Sequence, residues 1–125
     1  FCDDLTMSLD LMPTLLQLTG AVIPDGHRLD GVSLVPALMG GVMPDRKRKI
    51  FWAYGSKRSM RHGPWKLLTD LRVGGDPQLF LLTEDLSEQR SLYNTHRLKA
   101  KRMLSELQAW HADVLIGATL QPSDP

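Results

Sequence analysis

Apolar and polar residues alternate along residues 58–70, where Gly63-Pro64 separates two short runs. Alternation at a period of two is typical of strands with one buried face, and a Gly-Pro pair reverses the chain between them. Residues 78–82 form another apolar run after a Gly-Gly-Asp-Pro turn, and residues 50–54 form an earlier one. These runs predict a four-stranded antiparallel sheet. One face is predicted to carry Met60, Trp65, Leu67 and Leu79, with Leu81 as a further candidate, and the other Arg61, Lys66 and Leu68.

Two other segments show helical spacing. Residues 95–116 repeat apolar side chains every three to four positions, which predicts an amphipathic helix that ends at Gly117. Residues 11–19 are apolar almost all round. We expect Asp10 to cap this earlier helix through the Met12 N–H, and Gly20 to end it. Such a helix is expected to be buried on more than one side, and to leave an exposed patch in a free fragment. Ser33 is expected to cap a short helical turn.

These elements predict an α+β fold. A small four-stranded antiparallel sheet is packed by a C-terminal helix, and a helix and loop precede it. The chain has 125 residues, with 15 Lys and Arg against 14 Asp and Glu, so no global charge favours nucleic acid or an anionic membrane. No apolar run approaches the ~20 residues of a membrane span. The chain opens with Phe1 rather than Met, and we expect it to be a segment of something longer.

Few residues suggest chemistry. The four histidines lack metal-ligand spacing, and Asp3, Asp4 and Asp10 fit helix caps better than a cation site, so no metal site is predicted. The basic run at residues 46–49 is expected to be solvated. Arg61, His62 and Lys66 form the one cluster that could bind an anion, through charge-assisted hydrogen bonds. The alternative is that they are ordinary surface residues of a strand and turn.

Four motifs in order resemble the C-terminal part of the sulfatase family. LDLMPTLLQLTG at residues 9–20 is similar to D-L-x-P-T-L-L-x-L-x-G, and LDGVSLVPALMG at 29–40 to D-G-x-S-L-x-P-x-L-x-G. MRHGPWKL at 60–67 resembles V-R-x-G-x-W-K-L, and LFLLTEDLSEQRSL at 79–92 resembles L-Y-D-L-x-x-D-P-x-E-x-x-N-L. Residues 107–110 are similar to the helix that closes the fold. In the fourth motif the family's Tyr, Asp, Pro and Asn are replaced by Phe80, Leu81, Leu86 and Ser91, which predicts a loosened connector.

The resemblance implies a sulfate-ester hydrolase of the alkaline-phosphatase-like superfamily. Residues 1–45 would be the C-terminal end of its large α/β domain, and residues 46–125 the antiparallel-sheet subdomain with its closing helix. The family uses a formylglycine nucleophile, made in a C/S-x-P-x-R motif, and a calcium ion. Residues 2–6 do not fit that motif, so Cys2 is not expected to be the nucleophile. No catalytic residue and no metal ligand is therefore predicted in this segment.

The implied partners are the remainder of the catalytic domain and a sulfated small molecule or glycan. Arg61 and His62 are the predicted substrate-binding residues, at a cleft rim. Family members are often periplasmic, secreted or lysosomal, and the compartment of this chain is left open. Two alternatives also stay open: a fragment of a related phosphodiesterase or phosphonate hydrolase, and a non-catalytic interaction module.

Overall fold

The computed structural model describes residues 4–23, 25–43, 48–72, 74 and 76–116. Several predictions fall outside these residues: those for Cys2 and Asp3, for Arg46 and Lys47 of the basic run, and for the helix stop at Gly117. The expectation that the basic run is solvated is wrong for Arg48, whose side chain is only 9% exposed because it pairs with the buried Asp10 carboxylate. The chain divides into two compact units, Phe1–Arg48 and Lys49–Pro125. Assignment of residues 1–45 and 46–125 to two sulfatase domains stays a prediction. No helix within the described ranges combines the length and apolar character needed to cross a membrane.

The first unit contains two helices. A 3-10 turn, Ser8–Asp10, leads into α1, Leu11–Thr19, and α2 is the short Val35–Leu38. Gly20 ends α1 as predicted: its φ of 69° lies in the left-handed region that glycine adopts without a Cβ penalty. The Ser33 hydroxyl accepts a hydrogen bond from the Val35 N–H (3.2 Å) at the start of α2.

The predicted capping role of Asp10 is wrong. Asp10 has helical φ and ψ of −74° and −17° and makes no side-chain cap, because the preceding 3-10 turn draws it into the helical backbone. Its carboxylate instead accepts hydrogen bonds from the N–H of Met7 (2.8 Å) and of Val32 (3.0 Å). Arg48 Nη1 lies 3.0 Å from each carboxylate oxygen. Asp10 therefore joins segments that are distant in sequence.

The loop that contains Val32 lies directly against the backbone before α1. A Cβ placed on Gly31 would be 2.1 Å from the carbonyl oxygen of Leu9, so only glycine fits at this position. Thr14 makes a second connection between the start of α1 and this loop. Its hydroxyl donates to the Asp10 carbonyl (2.5 Å) and accepts from the Leu34 N–H (2.8 Å). Two of the sequence motifs thus meet in one small polar centre.

Helix α1 exposes most of its leucines. We define the α1 apolar surface as four side chains that are 51–57% exposed: Leu11, Met12, Leu15 and Leu18. Thr14, by contrast, is buried. The expected exposed apolar patch is present, but the expected burial of α1 on more than one side is not: Thr14 is the one residue of α1 that is buried within this chain.

The second unit is the predicted meander. Its strands are β1 (Lys49–Tyr54), β2 (Lys57–His62), β3 (Trp65–Asp70) and β4 (Gln78–Leu81), in the spatial order β1-β2-β3-β4 with every pair antiparallel. Gly63 opens the β2–β3 turn with φ of 57°. The α+β fold class is confirmed.

Helix α3, Arg97–Ile116, covers one face of this sheet. The register places Met60 opposite Leu67, and Leu67 opposite Leu79, on the face predicted for them. These side chains form a buried core with three residues of α3: Ala100, Met103 and Leu107. Trp65 packs against this core but is only partly buried. Phe51 and Trp110 stack with ring centroids 5.2 Å apart.

The connector after β4 is firmly hydrogen-bonded, contrary to the loosening that its departures predicted. The Ser91 hydroxyl accepts hydrogen bonds from the N–H groups of Leu79 (3.2 Å) and Tyr93 (3.3 Å). The Leu92 N–H donates to the Leu79 carbonyl at 2.7 Å. Asp85 accepts from the N–H groups of Gln89 and Arg90. Ser91 fastens the connector to β4 because a hydroxyl, like an amide, can accept a backbone N–H.

Candidate functional site

Strand alternation separates the two predicted substrate-binding residues. Arg61 pairs across the sheet with Ile50 and Lys66, whereas His62 pairs with Lys49 and Trp65. Because successive strand residues point to opposite faces, Arg61 and His62 cannot hold one group from the same side. Only the side of His62 is packed by α3. Arg61, His62 and Lys66 therefore do not form a single cluster.

On the Arg61 side, Lys66 already has a partner. Its Nζ lies 2.5 Å from Glu88 Oε1. Glu88 has φ of 56°, a left-handed conformation that is uncommon for a residue other than glycine and marks a backbone held by its surroundings. Arg61 Nε donates to the Gly63 carbonyl (3.2 Å), and no carboxylate within the described ranges pairs with it. Arg61 is thus a cation on this face without a carboxylate partner among the described residues.

His62 lines a cleft of about 110 Å³ between the end of β2 and the first half of α3. We call this the His62 cleft, and its walls are His62, Trp65, Lys99, Arg102, Met103 and Glu106. The Lys99 ammonium lies 4.8 Å from the centroid of the Trp65 ring, a cation–π distance. His96 packs against the same ring at 5.1 Å.

Glu106 organises the cations around this cleft. Its carboxylate oxygens lie 3.0 Å from Lys49 Nζ and 3.3 Å from Arg102 Nε. Burial acts to raise the pKa of Glu106, but the hydrogen bonds and charges of Lys49 and Arg102 outweigh it, and the pKa falls below its ordinary value. Glu106 therefore stays ionised at neutral pH and orients two cations.

A second cavity, of about 230 Å³, lies along the later part of α3. Its polar walls are Arg58, Thr69, Gln108 and His111, and leucines and Pro77 form the rest. Arg58 Nη1 donates to the carbonyls of Gly55 (2.6 Å) and Lys57 (2.9 Å), while its buried Nε has no acceptor within the described part of the chain. These bonds fix the guanidinium against the β1–β2 turn.

The described residues do not fit a calcium site. No three His, Cys, Asp or Glu side chains within them converge as metal ligands would. Asp10 is fully buried, but its carboxylate already accepts from Arg48 and two backbone N–H groups. A calcium ion needs about six or more oxygen ligands, and one committed carboxylate cannot provide them. We therefore derive no step through calcium from these residues.

Sequence reasoning missed most of the His62 cleft. The amphipathic pattern of residues 95–116 does not single out Lys99, Arg102 or Glu106, and Lys49 falls in the basic run that is expected to be solvated. One signal was present in the sequence: α3 has no acidic residue in its first turn, where acidic side chains are normally favourable, and it carries four cations among its first six residues. Pattern alone could not place them beside His62.

Comparison with solved structures shows what the fold is similar to. The carrageenan sulfatase Ps i-CgsB superposes with a TM-score of 0.69 and 25% identity over 86% of this chain and 24% of its own. The phosphonate monoester hydrolase of Agrobacterium radiobacter superposes with a TM-score of 0.62 and 27% identity, over 88% of this chain and 26% of its own. A candidate sulfatase from Bacteroides thetaiotaomicron VPI-5482 superposes with a TM-score of 0.61 and 26% identity, over 86% of this chain and 24% of its own.

The chain spans about a quarter of the length of these proteins. No family model matches it. The match nevertheless extends over both units of the chain, and the sulfatases among the neighbours agree with the family that the four sequence motifs predicted. The resemblance is confirmed: this chain has the fold of part of a sulfatase, consistent with the C-terminal part.

Proposed function

We propose that this chain is the C-terminal part of a sulfatase, an enzyme that hydrolyses sulfate esters. The observation that supports this most is the agreement between the four ordered motifs and the superposition on sulfatases over more than four-fifths of the chain. In this proposal the formylglycine nucleophile and the calcium ligands come from other residues of the enzyme. The segment itself supplies a scaffold, and it would be inactive alone.

The partner in this proposal is the remainder of the catalytic domain. The α1 apolar surface exposes about half of each of four large side chains. Monomeric proteins rarely leave such side chains contiguous and exposed, because complete burial of each is worth about 1.5–3 kcal/mol and roughly half of that is still to be gained here. The chain matches only about a quarter of each sulfatase, which leaves a large body of protein that could cover α1.

Arg61 and His62 are proposed to contribute to the cleft rim from opposite sides of the sheet. Arg61 is suited to this role because its charge is not neutralised by a neighbouring carboxylate in the described residues, so a sulfate oxygen could take that place. The substrate is proposed to be a sulfated small molecule or glycan. Two neighbours were solved with such carbohydrates, k-i-k-neocarrahexaose and D-glucosamine-2-N,6-O-disulfate.

A second candidate function is phosphonate or phosphate diester hydrolysis. The similarity to the Agrobacterium phosphonate monoester hydrolase favours it, because its 27% identity is as high as the 25–26% of the cited sulfatases or slightly higher. A non-catalytic interaction module, which would use the α1 apolar surface for docking, is a third possibility.

Substrate preference separates these candidates. The protein that contains this chain should be assayed with an aryl sulfate, an aryl phosphonate monoester and an aryl phosphodiester that share one leaving group. We expect the highest kcat/KM for the sulfate. A higher value for either phosphorus ester would favour the second candidate, and no turnover of any of them would favour the interaction module.

The proposed role of Arg61 is tested by the Arg61→Gln variant, which is expected to raise KM for the aryl sulfate. Arg72→Gln, at an exposed position, is the control and should leave KM unchanged.

A further inference from the structure

The cations of the His62 cleft are held in position before any ligand is present. Glu106 binds Lys49 on one side and Arg102 on the other, at 3.0 and 3.3 Å. The Trp65 ring lies beneath the ammonium of Lys99. Side chains held in this way lose less conformational freedom when a ligand arrives, which favours binding.

The charge of the cleft is unbalanced. Its walls carry two cations, Lys99 and Arg102, and one carboxylate, Glu106, and Lys49 outside the walls pairs with that same carboxylate. These four groups leave an excess of two positive charges. The Arg102 side chain is 80% exposed and uses its Nε on Glu106, so its terminal nitrogens face solvent. The cleft can accept an anionic group without a new desolvation cost for buried cations.

The start of α3 adds to this field. Its first turn contains no acidic residue, although acidic side chains stabilise that end of a helix and cations oppose its dipole. The arrangement therefore costs stability locally, and departures of this kind are expected where a surface serves binding. The missing acidic residues are a supporting argument, and the positions of the cations in the cleft carry the inference.

We propose that the His62 cleft binds a sulfate group of a sulfated oligosaccharide, with Lys99 and Arg102 as its principal contacts. The volume of about 110 Å³ accommodates a tetrahedral oxyanion and part of the sugar that bears it. Arginine offers paired donors to such an oxyanion, and lysine supplies a point charge. Glu106 and Trp65 are positioning residues, because they hold the cations rather than the ligand.

A sulfated sugar fits this cleft better than a nucleic acid does. Nucleic acid binding needs an extended basic face with free aromatic surfaces on which bases stack. The one aromatic ring of the cleft, that of Trp65, already contacts Lys99 and His96, and the net charge of the chain is only +1. The choice of sulfate as the anion rests on the proposed function. The charge and geometry of the cleft are observed independently of the proposed function.

The test is titration calorimetry of the protein that contains this chain against a heparin-derived tetrasaccharide, at low and at physiological ionic strength. The double variant Lys99→Gln/Arg102→Gln should weaken binding about tenfold, since two charge-assisted contacts are lost. The control Lys101→Gln/Arg90→Gln removes the same charge from exposed positions outside the cleft and should change affinity less than twofold. The charge-conserving variant Lys99→Arg/Arg102→Lys should retain most of the affinity.

Several results would overturn the proposal. Equal weakening by the cleft variant and the control would mean that only general charge attracts the sugar. A single-stranded oligonucleotide of equal charge that binds as tightly would assign the surface to nucleic acid instead. Turnover of an aryl sulfate is measured separately: binding without turnover would contradict the proposed function alone, and turnover with cleft-independent binding would contradict this inference alone.

Discussion

Arg48 Nη1 lies 3.0 Å from both carboxylate oxygens of Asp10, and the Asp10 side chain is completely buried. This ion pair connects the start of α1 to the last residue of the first unit. Buried ion pairs are not in general more stabilising than apolar contacts, but removal of one partner leaves the other charge buried and unpaired. The N–H groups of Met7 and Val32 depend on the same carboxylate.

Asp10→Ala should therefore destabilise the protein strongly. The variant leaves the Arg48 guanidinium without a counterion and two backbone N–H groups without an acceptor, at an expected cost of about 3–5 kcal/mol in the free energy of unfolding. Urea denaturation measures this cost. The control Asp25→Ala, at an exposed loop residue of the same unit, should lie within about 0.5 kcal/mol of the parent. Equal stability of the two variants would show that the Asp10 network contributes little.

The same carboxylate predicts how stability depends on acid. Burial acts to raise the pKa of Asp10, but hydrogen bonds from Val32 and Met7 and the charge of Arg48 outweigh it, so the pKa lies below its usual value. A carboxyl group whose pKa is lowered by folding contributes stability that is fully present above the unfolded pKa. That contribution is lost as pH falls toward the folded value.

The urea concentration at the denaturation midpoint should consequently decrease as the pH is lowered from about 5 to about 2, a range near and below the reference pKa of a carboxyl group. Asp10→Asn removes the titrating group while keeping its size, so the variant should start lower and lose less across this range. Parallel pH profiles for parent and variant would contradict the assigned role of Asp10.

Gly31→Ala tests the close approach of the loop to Leu9. The added Cβ would lie 2.1 Å from a backbone oxygen and 2.5 Å from a backbone carbon, so the backbone itself must move. We expect a loss of about 3 kcal/mol or more, at or above the usual cost of overpacking. Gly26→Ala is the matched control, because φ at Gly26 is 83° but nothing lies within 4 Å of its added Cβ. That control should cost only the ~1 kcal/mol of a left-handed backbone.

The α1 apolar surface gives a prediction whose sign depends on context. In the 125-residue chain alone, Leu11→Ser/Leu15→Ser should reduce self-association and dye binding without loss of stability, since both side chains are 57% exposed. In the larger protein proposed here, the same change should destabilise by about 2–5 kcal/mol per site, because both leucines would be buried. Sedimentation and thermal unfolding measure the two effects. A neutral result in the larger protein would contradict docking through α1.

The sheet could be predicted from sequence because its signals are local. Gly63 and the alternation around it fix a turn and the two faces beside it, and Met60 and Leu67 follow on the buried face. Gly20 likewise marks the end of α1 through its backbone conformation. Such features depend on a few neighbouring residues.

Asp10 and Lys99 could not be predicted in the same way. The role of Asp10 depends on Val32 and Arg48, which lie 22 and 38 residues away, while its local context favours a helix cap. The place of Lys99 beside Trp65 requires the position of α3 on the sheet. Adjacent positions in sequence suggest one site for Arg61 and His62, but strand geometry puts them on opposite faces. Their role in substrate binding stays a prediction.

Sulfate release from an aryl sulfate tests the central claim most directly. The larger protein that contains this chain should release sulfate catalytically. The 125-residue chain alone should release none above background, because the proposed nucleophile and metal ligands come from elsewhere in the enzyme. Turnover by the isolated chain, or none by the larger protein, would contradict the account.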